Sequence, residues 1–454
     1  MTAFRDSVRI RGSVATSLAL ALCLLAVSAG QVEPATNAAA PPAPGAALSL
    51  ADARRLAFER NWDLLAAKSG IDAATAQLMA VKEFPNPTLA LSTAKIGTYD
   101  NATFTGNGVW QRSYDTIAAV SQLVEIGGKR RDRQASARSG IVGAKARFLD
   151  AKRVLDQGVT KAYTAALLAA DNARILTESA RYMRREAAVA EARLKAGDIS
   201  VSDKNQIEIN AAQYELQAQS AEAAAVQARI AVEILLGNPQ PKGQWTPADT
   251  LATLIDRAPP APAAKPGAAR PDVLAAEADL RRSRSDLQLQ KAVRIPDPTF
   301  SVLYEHNPQF PTAPPPADTV GVGVSFPLPL WNRNRGNIKA AQAAVDQFAL
   351  ALDKAKAQAV SDLANAEVAY REAAERFQRY REHIRPQAAK VRETVAYAYE
   401  KGGASLVDLL EAERTDNDVR LAAAQAMSDT ASATADLAAA RNALTELELN
   451  LPKR

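Results

Sequence analysis

The stretch VSFPLPLWNRNRGNIKAA, residues 324–341, joins two kinds of secondary structure. Apolar residues alternate with small or turn-forming residues up to Trp331, two arginines follow within four residues, and an Ala-rich helical pattern then begins. Such alternation is typical of a strand with one apolar face. The stretch therefore predicts a strand that runs directly into a long helix.

The same order occurs twice along the chain. PNPTL at 85–89 returns 211 residues later as PDPTF, and VSQLVEIGGKRRDRQASA from Val120 matches the quoted stretch 204 residues later. KAGDISVSDKNQIE matches KGGASLVDLLEAE at an offset of 205, with Gly197 over Gly402. Three similar offsets in one order predict a duplicated unit of about two hundred residues. We assign repeat 1 to 48–236, an Ala- and Pro-rich linker to 237–270, and repeat 2 to 271–450.

Each repeat reads as helix, strand, strand, very long helix, turn and helix. We predict a first helix from Ser49 to Glu83, and strands at Thr88 to Ala94, Thr116 to Ile126, Thr299 to Tyr304 and Thr319 to Leu328. The last strand carries Val320, Val322, Val324, Phe326 and Leu328 on one face, with Gly321, Gly323 and Ser325 on the other.

The helices after the strands are unusually long. Lys129 to Lys195 and Arg333 to Lys401 are roughly 65 residues each, which at 1.5 Å per residue extend about 100 Å. Apolar residues in and after the first of them recur in steps of four and three, which predicts coiled-coil packing. They are Leu155, Val159, Ala162, Ala166, Ala169, Ala173 and Leu176, then Ile207, Ala211, Tyr214, Ala218, Ala221, Ala225, Ala228, Val232 and Leu235.

Composition argues against several functions. Of 454 residues, 55 are Lys or Arg and 50 are Asp or Glu, and the two signs are interspersed, so nucleic-acid binding is not expected. His306 and His383 lie far apart, with no paired acid at a recognisable spacing, and no phosphate loop, nucleophile motif or metal-ligand cluster occurs. We predict neither an enzyme nor a cofactor or metal site.

The N-terminus predicts export. Arginines precede the apolar run 14–27, and Ser28, Ala29 and Gly30 follow it, which is the pattern of a secretory signal peptide, here 1–29. An uncleaved anchor is the alternative, but a membrane span needs about 20 apolar residues. Cys23, the single cysteine, follows Leu22 where a lipoprotein signal has a small residue, so no lipid anchor is expected. An Ala- and Pro-rich segment, 30–47, comes next.

The strands raise the question of what covers their apolar faces. An apolar face ordinarily covers a soluble core, yet most of the remaining chain is predicted as long rods. In a bilayer the valines would face lipid and the glycines a lumen. Lipid forbids open sheet edges, and membrane barrels begin at about 8 strands, so four strands require several copies. A pore favours three copies over two, because a barrel of about 8 strands is filled by its own side chains.

The strand ends carry residues suited to a membrane interface. Trp331 is an aromatic residue of the type found at the membrane–water boundary. Arg333 and Arg335 follow it, and Lys129 and Arg130 occupy the matching place in repeat 1. These cations are expected to meet lipid headgroups or acidic neighbours, or merely to solvate a helix start.

With these residues in order, the chain resembles the TolC-type outer-membrane efflux channels over about residues 48–450. FPLPLWNRNRGNI is most similar to the branch that serves cobalt-zinc-cadmium (heavy-metal) exporters. The resemblance implies a mainly α fold with a small β part. It also implies a homotrimer with one shared 12-stranded β-barrel and a helical periplasmic tunnel, in the outer membrane of a Gram-negative bacterium. It further implies a passive exit duct that docks onto a periplasmic adaptor and an inner-membrane RND-type pump.

The resemblance also suggests functional residues. Asp408 and Glu411, one helical turn apart, match the acids that narrow the periplasmic end of such tunnels; alternatively, they are acids favoured near a helix start. Gly197, Gly402 and Gly403 match the tip turns that contact the adaptor. Ala404 stands where family members often have a basic latch residue.

Other functions remain open at this point. Within the channel class the alternatives are multidrug efflux and type I protein secretion. From another class, a periplasmic coiled-coil adaptor or structural protein would share the signal peptide and the heptads, but would lack the two similar pairs of amphipathic strands.

Overall fold

The computed structural model describes residues 47–94, 115–257, 270–306 and 318–442, all of which belong to one compact unit, Pro42–Arg454. The predicted signal peptide, with Cys23, and the Ala- and Pro-rich segment up to residue 46 lie outside the described residues. Within the described ranges, no helix is long and apolar enough to cross a membrane.

Two short helices open the described chain, where the sequence predicts one. They are α1, Leu50–Arg60, and α2, Trp62–Lys82. Asn61 interrupts them with an extended backbone (φ −58°, ψ 126°), and its side-chain oxygen accepts a hydrogen bond from the Leu64 N–H at 3.1 Å. Its amide donates to the Leu235 carbonyl at 3.0 Å. The single helix predicted from Ser49 to Glu83 is wrong because Asn61 caps a second helix.

The first long hairpin consists of α3, Lys129–Ala196, and α4, Val201–Leu235. Gly197 adopts a left-handed conformation (φ 82°) at the turn, which a residue without a Cβ tolerates best. The predicted stripes are confirmed as the contact faces: Leu155, Val159, Ala166, Ala173 and Leu176 of α3 are buried, as are Ile207, Ala211, Ala218, Ala225 and Val232 of α4.

The second hairpin is less regular than predicted. It begins with α6, Pro271–Ala292, and after two strands continues with α7, Arg335–Arg379, a π-helical turn at Tyr380–Ile384, α8, Arg385–Glu400, and α9, Leu406–Ala440. The sequence places one helix from Arg333 to Lys401, within which Pro386 predicts a kink, and the structure confirms a break just ahead of this proline. Pro386 has no N–H for the helical ladder, and the preceding turn widens so that the Arg385 N–H bonds the Tyr380 carbonyl five residues back.

Four strands form one antiparallel sheet in the order β2-β3-β5-β6. Their bounds are Thr88–Ala94, Asp115–Leu123, Thr299–His306 and Thr319–Ser325. The last strand ends three residues before the predicted Leu328, because Pro327 and Pro329 supply no N–H to a ladder.

The predicted linker at 237–270 has structure of its own. Its residues form β4, Thr246–Pro247, parallel to β1, Ala47–Leu48, and the helix α5, Leu251–Arg257. Trp245 stacks on Tyr163 of α3 with ring centroids 5.7 Å apart, and the Tyr163 hydroxyl donates to the Leu48 carbonyl at 2.8 Å. The start of the described chain and the linker are therefore both fastened to α3.

The architecture is mainly α with a small β part, as predicted. Helix α3 packs against α2, α4, α6 and α9. The sheet lies at the end of the long helices opposite the hairpin turns, since β3 leads into the start of α3 and Gly197 ends it. The strand ends and the hairpin tips are thus far apart.

Candidate functional site

One face of the four-stranded sheet is apolar and exposed. The strand register places residues of all four strands in two cross-strand rows: Leu89, Val120, Val302 and Val322, then Leu91, Ala118, Tyr304 and Val320. Val322 is the most open of these side chains, at 84% exposure. A continuous exposed apolar patch of this kind marks an interaction surface.

The opposite face carries mostly small or polar side chains, and its two glycines have little room beside them. A Cβ on Gly321 would lie 3.0 Å from the Leu303 Cγ, and one on Gly323 would lie 2.8 Å from the Ser301 Oγ. The predicted alternation of valines and glycines in β6 is confirmed. Strands β2 and β6 form the two edges of this sheet, and such edges offer backbone groups to a further strand.

The junction of β3 and α3 is held inside the chain. The Lys129 Nζ lies 2.7 Å from an Asp297 carboxylate oxygen, and the Ile126 N–H donates to the same carboxylate at 2.9 Å. Of the roles predicted for Lys129, the structure shows an acidic neighbour, because this side chain is buried.

Two arginines complete that junction. The Arg130 guanidinium lies 3.8 Å from the centre of the Phe84 ring and donates to the Lys82 carbonyl. Arg133 forms two hydrogen bonds with the Glu125 carboxylate, at 2.6 and 2.5 Å. Lys129 thus binds repeat 1 to the loop ahead of β5, whereas the two arginines hold segments of repeat 1 to each other.

The matching junction of β6 and α7 is open. Trp331 is 93% exposed, and Arg333 and Arg335 are exposed as well. Neither arginine forms an ion pair within the described part of the chain. Asn334 holds the turn with a left-handed backbone (φ 56°) and donates to the Gln290 carbonyl at 2.8 Å.

The hairpin tips are built alike in both repeats. Gly402 has φ 76° and matches Gly197, whereas Gly403 has an ordinary φ. Helix α4 begins with a capping box of Ser200 and Asp203, and α9 begins with the same device from Ser405 and Asp408. The tips therefore have the same local geometry.

This geometry gives Asp408 a structural task. Its carboxylate accepts hydrogen bonds from the Ser405 hydroxyl at 2.7 Å and from the Ser405 N–H at 3.0 Å. Those bonds lower the pKa of Asp408. Glu411, one turn further, is exposed and lines an open groove of about 1000 Å³ between α4 and α9. The two acids predicted as a gate are neighbours, but only Glu411 has its carboxylate free of the helix cap.

Sequence reasoning missed a polar cluster deeper between the helices. Glu413 and Asp416 of α9 are buried against Arg392 of α8, and Asn417 accepts a hydrogen bond from the Ser179 hydroxyl of α3 at 2.9 Å. The signal was present, because these polar residues continue the apolar spacing that begins with Leu409.

Within the described residues, no group of three or more His, Cys, Asp or Glu side chains could hold a metal ion. His306 does have an acidic partner that its sequence spacing did not indicate: its Nδ1 lies 2.8 Å from Asp318 across the β5–β6 connection.

Comparison with known proteins extends over most of the chain. The outer membrane efflux protein family model matches residues 53–238 and 267–443. The cobalt-zinc-cadmium resistance protein CzcC of Cupriavidus metallidurans is 26% identical over 375 residues, which cover 81% of this chain and 84% of the relative.

Solved structures share the fold at lower identity. The outer-membrane channel OprN is 20% identical, with a TM-score of 0.68, over 90% of this chain and 95% of its own. The CmeC outer membrane channel of Campylobacter jejuni is 18% identical, with a TM-score of 0.69, over 86% of this chain and 85% of its own.

Proposed function

Because the chain belongs to the outer membrane efflux protein family, we propose that three copies assemble into one outer-membrane exit duct. Family membership confirms the predicted resemblance, and with it the prediction that the chain is an efflux channel component and not an enzyme. It also favours the channel over the periplasmic adaptor that the sequence left as an alternative.

The observation that carries the proposal is the four-stranded sheet with one exposed apolar face and two edges. Lipid can cover the apolar face, but it cannot satisfy edge backbone groups. Four strands are too few for closure, since membrane barrels begin at about 8. Three copies supply 3×4=12 strands, which close every edge and leave a lumen on the small-residue face.

The internal repeat supports one way in which the copies would join. Thr88 pairs with Ser121, and Thr299 pairs with Ser325, so β2 corresponds to β5 and β3 to β6. Within one copy β3 pairs with β5, and Ser121 faces Ser301. The corresponding contact joins β6 of one copy to β2 of the next, with Ser325 facing Ala90 of the second copy.

This join also suits the two strand–helix junctions. The β3–α3 junction binds the loop ahead of β5 through Lys129 and Asp297. The β6–α7 junction, with exposed Trp331, Arg333 and Arg335, would lie against the loop ahead of β2 in the next copy and against lipid headgroups. We propose that Trp331, Arg333 and Arg335 mark the periplasmic boundary of the membrane, together with Lys129 and Arg130 of repeat 1.

Substrate and partners are proposed from the relatives. CzcC is named for cobalt, zinc and cadmium resistance, and we propose heavy-metal cations as the substrates, with multidrug efflux or protein secretion as the alternatives. A periplasmic adaptor and an inner-membrane RND-type pump would deliver them. We propose that the adaptor contacts the tip turns at Gly197, Gly402 and Gly403, and that Asp408 and Glu411 narrow the tunnel there.

Cysteine cross-linking tests the assembly. In a chain with Cys23 replaced by serine, Ala90→Cys with Ser325→Cys should give a covalent trimer on a non-reducing gel. Within one copy these residues lie on strands three positions apart, about 14 Å at 4.8 Å per strand, which a disulfide cannot span.

A matched control fixes the register. Ala94→Cys with Ser325→Cys keeps one partner and the same face, but displaces the other thiol by four residues, about 13 Å. It should give no covalent trimer. Equal cross-linking of both pairs, or none with the first, would contradict the proposed join.

Metal sensitivity tests the substrate. A deletion strain should lose growth on cobalt, zinc or cadmium and regain it with the intact gene. Sensitivity confined to drugs would assign the duct to multidrug efflux.

A further inference from the structure

A buried carboxylate lies where four helices of the tunnel-forming hairpins meet. Glu413 of α9 is 8% exposed, and its Oε1 has no hydrogen-bond partner in the described part of the chain. The Nε of Arg392, on α8, is likewise buried without a hydrogen bond, and lies 3.8 Å from an Asp416 oxygen. Leaving such groups without partners is costly, so their presence calls for an explanation.

Charged and titratable groups face Glu413 from every helix around it. The Tyr182 hydroxyl of α3 favours the charged form of the carboxylate, and Arg392 of α8 is the nearby cation. The groups whose charges or ionisation interact with Glu413 are Tyr182 and Glu186 on α3, Tyr214 on α4, Arg392 on α8 and Asp416 on α9 itself. Two carboxylates therefore stand near Glu413, with one guanidinium to balance them.

The surroundings favour the neutral form of Glu413. Burial raises the pKa of this carboxyl to about 7, and the charges of Asp416 and Glu186 act in the same direction. Arg392 and the Tyr182 hydroxyl oppose the shift without cancelling it. The charge of Glu413 is therefore sensitive to pH near neutrality.

The position of Glu413 gives that charge a mechanical consequence. Next to it, α9 is joined to α3 by the Ser179–Asn417 hydrogen bond and by the ion pair of Arg420 with Glu178. Towards the tip, α3 and α4 enclose an apolar cluster of Met183, Ala187, Ala190, Ile207 and Ala211, against which Leu406 and Leu410 of α9 pack. Separation of α9 from α3 would expose Glu413 to water and remove the cost of its ionised form.

We infer that Glu413 is a pH-sensitive clasp, which holds α9 against α3 and α8 when it is protonated and loosens that packing when it is ionised. Because the packed form takes up the proton more readily, the packed form is favoured at acidic pH. Opening rises between the ordinary carboxyl value of 4.5 and about 7, and levels off above that range. The effect of the clasp on passage rests on the proposed duct; the clasp itself is a property of each copy.

Amide hydrogen exchange of the full chain in detergent tests the clasp. The exchange rate of peptides from 406–420 is compared between the wild type and Glu413→Gln at about pH 5 and about pH 8. At each pH the ratio of the wild-type rate to the variant rate cancels the intrinsic pH dependence of amide exchange. We expect the wild-type-to-variant ratio to rise by at least about tenfold between the two pH values, because each pH unit inside the window changes opening up to about tenfold. Glu411→Gln, an exposed acid on the same helix, should show a constant ratio.

A constant ratio for Glu413→Gln overturns the clasp. If that variant does not fold, Asp416→Asn tests the same idea. Removal of the negative charge beside Glu413 should make opening level off at a lower pH in Asp416→Asn than in the wild type. An unchanged levelling pH in Asp416→Asn also overturns it. Neither readout depends on transport or on the trimer contact, so failure of the clasp and failure of the duct are distinguishable.

Discussion

Lys129 at the start of α3 and Asp297 ahead of β5 form an ion pair of 2.7 Å that joins the two repeats. The Lys129 side chain is only 7% exposed, and the same carboxylate accepts the Ile126 N–H. Repeat 1 has Asn86 where repeat 2 has Asp297. The two strand–helix junctions of the chain therefore cannot be closed by the same ion pair.

Removal of this ion pair should destabilise the chain strongly. Asp297→Asn keeps an acceptor for the Ile126 N–H but leaves the Lys129 ammonium buried without its counterion, which costs about 3 kcal/mol. Denaturant unfolding in detergent measures the change in the free energy of unfolding. Asp72→Asn, at an exposed position of α2, should change it little, and equal effects would show that Lys129 does not depend on Asp297.

The close approach of β5 and β6 predicts a rescue. Gly323→Ala places a Cβ 2.8 Å from the Ser301 Oγ and should cost about 1–3 kcal/mol as overpacking. Ser301→Ala removes that oxygen, so the double variant should recover most of the loss. Thermal unfolding of the four proteins in a double-mutant cycle measures the coupling; strict additivity would mean that the two residues do not touch.

Arg270 predicts a measurable acid dependence. Its buried side chain binds Asp272 at 2.9 and 2.6 Å and Asp362 of α7 at 2.7 Å. Hydrogen bonds from Gln358 and Arg270 hold the pKa of Asp362 below its ordinary value of 3.8. A carboxyl whose pKa is lower in the folded state than in the unfolded state stabilises the fold at pH values above its unfolded pKa. That contribution is lost as the pH falls through the folded pKa.

Arg270→Met should therefore reduce the free energy of unfolding by about 2 kcal/mol near neutral pH. The difference in the free energy of unfolding between this variant and the wild type should stay constant above the ordinary carboxyl pKa of 3.8 and shrink at lower pH. Chemical unfolding across this pH range measures it. Arg55→Met, at a mostly exposed arginine 3.5 Å from its acids, serves as the control with little effect at any pH.

The features that depend on local periodicity were predictable. The valine and glycine faces of β6 and the apolar stripes of α3 and α4 follow from spacing within one element. The burial of Lys129 in an ion pair was not predictable, because its partner Asp297 belongs to the other repeat. Asn61 breaks a helix that the apolar pattern runs through, whereas Pro386 itself predicts the break in the other long helix. Glu413 continues the apolar spacing that begins with Leu409, but a single acid in that spacing does not by itself indicate burial, and only packing shows it.

The tip acids should differ in their effects. Glu411→Gln removes an exposed charge without touching the helix cap and should reduce cation selectivity of the duct, since three copies concentrate negative potential around one axis. Reversal potentials across planar bilayers measure the change. Glu222→Gln on α4 is the matched exposed control. Unchanged selectivity in Glu411→Gln would remove this residue from the proposed gate.

Asp408→Asn should combine two effects. It removes the same kind of charge but also weakens the capping box with Ser405. Ser405→Ala loses the cap alone, at about 1 kcal/mol, and keeps the carboxylate. If selectivity follows the carboxylate, Asp408→Asn lowers it and Ser405→Ala does not; the reverse order would make Asp408 a helix cap only.

An ion pair inside one copy indicates a second one between copies. Arg147 of α3 binds Asp279 of α6 through both carboxylate oxygens, at 2.6 and 2.5 Å. Lys129 and Arg335 are the first residues of α3 and α7, and each follows a left-handed cap residue, so the two helix starts correspond. Arg147 and Asp353 lie the same number of residues beyond these starts. Lys68 precedes Thr88 by the same 20 residues that separate Asp279 from Thr299. The matching pair has its charges exchanged.

Lys68 and Asp353 are both exposed in the single chain, and the proposed join of α7 to α2 of the next copy would bring them together. Lys68→Glu or Asp353→Lys places like charges there and should weaken each of the three contacts by about 0.5–1 kcal/mol. The double reversal Lys68→Glu with Asp353→Lys should restore the trimer. The temperature at which trimers dissociate in mild detergent measures all three variants. Reversal of both charges can restore the contact only if the two residues meet. A double variant whose trimer dissociates at a lower temperature than that of either single variant would therefore place Lys68 and Asp353 apart.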